Sequence, residues 1–267
     1  MIAFNTVSKR HRKRKPKAPL GVVLYRGRSP FADGNFVVIA LLGKSSNVKT
    51  GGMIQTYIIV DGAAKPTDTV KTGADAIVCG DCALRGILGK MGRACYVNLG
   101  QGPRAVHEAY LAGKYAEYSP EEHDQYFTGK MIRFGTYGEP VLIPIGIVRH
   151  LAGLASGWTG YTHQWAKPEF AEYRDFFMAS VHDARGAEHA KHNGWRYFRS
   201  GMGATAAKGE IVCPASAEAG KRKTCEQCGI CNGRGPNDTP DRVSVVINIH
   251  GGFGVMAAAK HTPAIAG

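Results

Sequence analysis

No apolar run in the chain approaches the length of a membrane span. The longest, Phe36 to Leu42, has seven residues, and the stretch from Val141 to Val148 is broken by Pro144 and Gly146; a spanning helix needs roughly 20. No apolar stretch follows the polar, basic N-terminus, so a secretory leader is not expected, and the chain reads as a cytoplasmic protein with no membrane partner. There is no P-loop, no G-x-S-x-G elbow and no dinucleotide fingerprint, so nothing points to the familiar nucleotide, hydrolase or nicotinamide classes. Acidic residues are also scarce, 21 against 34 Lys and Arg, giving a net charge of +13.

What is present is globular in composition. With 267 residues, 44% hydrophobic and 21% charged, the chain can bury a substantial core without disulfide staples. Glycine is abundant: 35 residues, where an average composition of about 7% predicts roughly 19. Such an excess suits tight turns and loops that pass close to a ligand. Seven positive charges lie between Lys9 and Lys17. A run this dense repels itself and reads as a disordered basic arm over residues 1–19, ahead of one α/β domain over 20–267. As an anchor for nucleic acid, all seven charges on phosphates would give a log–log salt slope of about −6; as a solvated tail, the run would only aid solubility.

Segments rich in β-branched residues predict strands at Gly21–Tyr25, Phe36–Leu42 and Met53–Val60. A Gly-rich loop is expected over 67–102. Beyond it, strand and helix signals alternate. Helices are predicted at Pro103–Leu111, from a capping box at Ser119, at Pro144–Ser156, and from a cap at Asp183 to about His192. Six strands are predicted from Met131 onward: Met131–Tyr137, Thr159–Trp165, Phe176–Val181, Trp195–Arg199, Glu210–Cys213 and Val243–Ile249. Their spacing implies right-handed crossovers and a parallel sheet, and the polar alternate face of the Phe176–Val181 strand, with Ser180 and His182, implies a partial barrel with a site at its carboxyl ends.

The seven cysteines form two sets, Cys79-x2-Cys82-x12-Cys95 and Cys213-x11-Cys225-x2-Cys228-x2-Cys231. In a reducing compartment such sets serve metals more often than disulfides. Three thiolates within seven residues plus a distant Cys213-Pro214 suit the separate corners of a [4Fe-4S] cubane, with a four-cysteine zinc site as the competitor. The first set admits a cluster with one open iron or a closed zinc site completed by His107, and a single cluster drawing on both sets is a third arrangement. The cluster loops are therefore 67–102 and 213–235.

The order of parts, a cysteine loop, a helix, a strand and then Tyr137-Gly138-Glu139-Pro140 followed by Val-Leu-Ile-Pro, resembles radical S-adenosylmethionine (SAM) enzymes. With Ala94-Cys95-Tyr96, Gly160-Tyr161-Thr162-His163, Ala179-Ser180-Val181 and the late cysteines, residues 45–251 also resemble a group of phage-encoded cysteine-rich proteins. The resemblance implies a partial (β/α)6 TIM-like barrel, Cys79, Cys82 and Cys95 as ligands of the open cluster, and Gly138 with Glu139 gripping the SAM amino group. Ser180 would be a ribose contact by position, and Cys213, Cys225, Cys228 and Cys231 would hold an auxiliary cluster. The small-molecule cofactor would be SAM and the location the host cytoplasm. The alternative from a different class is a zinc- or cluster-stabilised nucleic-acid-binding protein that uses its basic arm.

Overall fold

The computed structural model describes residues 18–43, 47–86, 92–220, 222–235 and 242–249. The basic run through Lys17, His250 and the glycines at 251, 252 and 254 lie outside them. An antiparallel meander opens the fold: β1 (Gly21–Arg28), β2 (Asn35–Leu41) and β3 (Ile54–Val60). The interiors of β2 and β3 are buried along nearly their whole lengths, which is why they read as continuous apolar runs rather than alternating ones. The short edge strand β4 (Ala116–Glu117) pairs in parallel with β1.

From β3 onward every pairing is parallel. β5 (Met131–Tyr137) lies beside β3, and β6 (Gly157–Thr159) beside β5. A second sheet contains β7 (Tyr161–Thr162), β8 (Met178–Val181), β9 (Tyr197–Gly201), β11 (Ser244–Asn248) and, at its edge, β10 (Glu210–Val212). The strand orders are β4-β1-β2-β3-β5-β6 and β10-β11-β9-β8-β7, so the fold is mixed α/β with largely parallel sheets. The sheets do not close on themselves, and the expected barrel is realised only in that coarser form. Helices occupy the crossovers: α3 (Gly102–Leu111), α4 (Pro120–Phe127), α5 (Ile145–Leu154) and α6 (Ala184–His192). Among the described residues no helix is long and apolar enough to cross a membrane.

The strand expected over Thr159–Trp165 is shorter and divided. β6 and β7 flank Gly160, whose N–H donates to Cys231 O at 2.9 Å while its carbonyl accepts from Met178 N at 3.0 Å. The chain thus leaves β5 and joins β8 at this residue. A Cβ at Gly160 would stand 2.6 Å from Phe177 Cδ1, and Phe177 is fully buried against Phe134 and Tyr173. Glycine is required here by close packing.

Local signals were met unevenly. Asp183 caps α6, accepting from Gly186 N at 2.7 Å. Ser119 precedes α4 without a side-chain cap bond; its backbone N–H meets His123 Nδ1 at 3.1 Å instead, so the expected capping box is absent there. The 67–102 loop carries short helical turns, α1 (Pro66–Thr72), α2 (Ala76–Cys79) and a 3-10 turn at Ala83–Arg85.

Gly160→Ala tests the junction. Overpacking should cost about 1–3 kcal/mol, lowering Tm by roughly 4–8 °C at the middle of that range. Thermal unfolding followed by circular dichroism would measure it, and an unchanged Tm would mean that Phe177 has room to move.

Candidate metal centre

Two loops carry the cysteines, and each is fixed by bonds of its own and by bonds to the rest of the fold. In the first, the buried Asp75 carboxylate pairs with Arg85 through Nη2 at 2.7 Å and Nε at 3.2 Å. Leu84 O accepts from both Ala94 N and Cys95 N, and Arg93 donates to the carbonyls of Cys95 and Val97. The loop is tied to the sheets by Glu139 N donating to Val78 O at 2.8 Å and Gln164 Nε2 donating to Cys79 O at 3.4 Å.

The second loop contains the one-turn helix α7 (Cys225–Cys228), opened by a capping box between Thr224 and Gln227. Cys225 N donates to Lys49 O at 2.8 Å, and Gly52 N donates to Glu226 Oε2 at 2.7 Å. Arg196, just before β9, donates to the carbonyls of Ile230, Gly233 and Val243. A charged donor with several carbonyl partners at one turn is a strong constraint. Cys213 and Cys231 are buried in a small apolar cluster with Met178, Ala215, Val245 and Ile247.

Both loops face one cavity of about 320 Å³, and all seven cysteines line it. Gly138, Glu139 and Ser180 line it as well, so the seven cysteines and these three residues meet there, whereas His107 and His182 do not line it. Gly138 sits at φ +80°, and a Cβ would stand 2.6 Å from Ile58 O; the turn after β5 can approach β3 this closely only as glycine. Ser180 is at the carboxyl end of β8, its carbonyl accepting from Trp165 Nε1 at 3.2 Å. Trp165 and Trp158, which donates to Phe176 O, are packing residues.

Glu139 is only 4% exposed. Its Oε2 accepts from Thr162 Oγ1 at 2.7 Å and from His163 N at 3.1 Å, and its Oε1 pairs with His163 Nδ1 at 2.9 Å. A carboxylate so buried is paired, as its desolvation requires. His163 is a functional candidate that reading the sequence did not assign. Cys82 Sγ, a Glu139 oxygen and a His163 ring nitrogen lie within 4.8 Å of one another. His107 is elsewhere: it is buried, its Nε2 meets Gly62 O at 2.8 Å, and it does not line the cavity. The three-cysteine, one-histidine zinc site drawn from it is therefore replaced by a neighbourhood built on His163.

Electrostatics favour a ligand-dependent site. Burial pushes the Cys79 thiol well above its ordinary pKa, raises Cys95 and Cys213, and pushes Cys231 up to about 12. Burial disfavours a charged His163 ring, yet the Cys82 sulfur and the Glu139 carboxylate together outweigh it and hold its pKa well above the usual histidine value. Four cavity-lining residues carry buried polar atoms with no partner among the described residues: Thr136 Oγ1, Tyr137 OH, Thr159 Oγ1 and Asn248 Oδ1. Such orphans are rare in folded proteins and mark where a polar ligand or ordered water completes the structure.

No family model, curated protein or solved structure matches the chain.

The raised pKa values set a pH dependence for the metal-free protein. His163 binds its proton more tightly folded than unfolded, so its contribution to stability is complete below about pH 6.5 and is lost as pH rises through its folded value. The buried thiols act in the same direction, but only above about pH 8.5, where unfolded cysteines ionise. Urea unfolding of chelator-treated, reduced protein should therefore show stability falling from about pH 6.5 upward, with His163→Gln removing the lower part of the slope. A flat profile between pH 6.5 and 8.5 in the wild type would show that the ring is neutral in the fold.

Proposed function

We propose that this is an iron-sulfur protein in which Cys79, Cys82 and Cys95 hold one [4Fe-4S] cluster by three corners and Cys213, Cys225, Cys228 and Cys231 hold a second, closed one. SAM is the candidate small molecule for the space between them. The carrying observation is that seven thiols in two separately anchored sets line one cavity whose other walls hold buried polar atoms lacking partners. The strands β3, β5, β6 with β7, β8, β9 and β11 stand side by side in chain order, which supports reading the two sheets as an opened partial (β/α)6 barrel of the radical-SAM type. Likeness to the phage-encoded group belongs to the same proposal.

The sequence pattern of the second set supports iron over zinc: three thiolates within seven residues plus a distant Cys213-Pro214 suit cubane ligation better than the paired C-x2-C knuckles of zinc sites. The first set's C-x2-C-x12-C spacing differs from the C-x3-C-x2-C of radical-SAM enzymes, so cluster binding and SAM binding are separate steps in the test.

When bound and reduced, the first cluster supplies one electron to a ligand on its open iron. The chain's own residues position that ligand. Glu139 is fixed by Thr162 and His163 and cannot swing away, Gly138 brings backbone close to the cavity, and Ser180 offers a hydroxyl-bearing residue at the carboxyl end of β8. The buried walls keep water from a reactive species.

Dithionite-reduced, anaerobically prepared protein should give an electron paramagnetic resonance signal that SAM alters. Cys95→Ala should abolish the SAM-responsive component and retain roughly half the iron, while deletion of residues 1–17 should leave both unchanged. Loss of SAM response on deleting the arm, or zinc with no reducible signal, would overturn the proposal.

A further inference from the structure

Arg133 is a cation in an unusual place. It lies on β5, is 9% exposed and lines the cavity. Its guanidinium carbon stands 5.3 Å from the centroid of the Tyr161 ring. Among the described residues no carboxylate lies within salt-bridge distance of it, whereas the other largely buried arginines of the ion pairs, Arg85 and Arg199, each hold one. Burial opposes the charge on Arg133, and its electrostatic neighbours, Tyr161, Tyr96 and Cys225, include no carboxylate. Desolvating a guanidinium without an anion is costly, so the fold expects an anion that side chains do not provide.

The position of Tyr161 indicates which anion. Tyr161 packs against the apolar cluster that contains Cys213 and Cys231, Arg133 lies over that ring, and Cys225 of the second set is among the groups that act on its guanidinium. Four thiolates around a metal cluster carry net negative charge in a site with few donors. We infer that Arg133 is the counter-cation of the second metal-thiolate centre, a positioning and tuning residue that makes the centre easier to reduce. This rests on the iron-sulfur proposal. Net charge and hydrogen bonds at the sulfurs set a cluster's potential, and removing a nearby buried cation makes adding an electron harder. A free carboxylate or phosphate of a substrate is the competing occupant.

The test is a potentiometric titration of the reconstituted holoprotein in a Cys79→Ala, Cys82→Ala, Cys95→Ala background, where only the second centre remains. Arg133→Gln should lower the reduced-to-oxidised ratio at fixed potential at least tenfold, a shift of about 59 mV for one electron, and Arg133→Lys should recover most of it. Metal-free protein supplies the second readout: Arg133→Gln should raise its Tm, because an uncompensated charge is removed, while lowering iron retention in the holoprotein. An unchanged potential with full iron would overturn the inference. So would sulfate raising the Tm of the wild-type holoprotein but not of Arg133→Gln, which would assign the guanidinium to a free anion. Absence of iron in the parent protein would instead be failure of the iron-sulfur proposal itself.

Discussion

One buried carboxylate holds the cavity together. Glu139 ends the turn after β5, and its backbone N–H reaches Val78 in the first cysteine loop while its side chain accepts from Thr162 and His163 at the end of β7. Three segments far apart in sequence thus meet at a single residue that is 4% exposed. The low dielectric strengthens each of these bonds and makes losing any of them expensive. Gly138 is the geometric condition for it, since only a residue without Cβ lets the turn lie against Ile58.

The second constraint is at the opposite wall. Gly160 lets one strand serve two sheets, and its N–H is spent on Cys231 O instead of on the ladder. Arg196 then fixes the carbonyls on either side of Cys231. Each cysteine loop is therefore held both by bonds within itself and by bonds to the rest of the fold, and the two face the same cavity. Burial raises the pKa values of Cys79, Cys95, Cys213 and Cys231, so a metal taken by these thiols would release protons on binding and couple its occupancy to stability.

Much of this was legible in the sequence because the signals were local. β-branched runs placed the strands, Asp183 announced the start of α6, Pro144 and Gly157 bracketed α5, and the cysteine spacing separated two sets of three and four. Other features depended on tertiary contact. His163 sits in Gly160-Tyr161-Thr162-His163 with no spacing relation to Cys82 or Glu139, and only the parallel placement of β5 beside β6, which β7 follows directly, brings the three together. His107, nearer to the cysteines in sequence, faces Gly62 instead, because α3 turns its buried side away from the cavity. The Thr224-x-x-Gln227 capping box is a local signal that the sequence carries beside the cysteines. Arg133 carries no distinguishing signal in the sequence, because its lack of a carboxylate partner among the described residues is a property of the fold. The open sheets follow from the same limit, as strand count and spacing do not state whether the edge strands β4 and β10 meet.

The central claim is that the two cysteine sets hold two iron-sulfur clusters across one cavity. Iron, acid-labile sulfide and zinc measured per chain after anaerobic purification address it most directly. The account predicts about eight irons and eight sulfides, the content of two [4Fe-4S] cubanes. Zinc without sulfide would contradict it, and about four irons would reduce the pair to a single cluster.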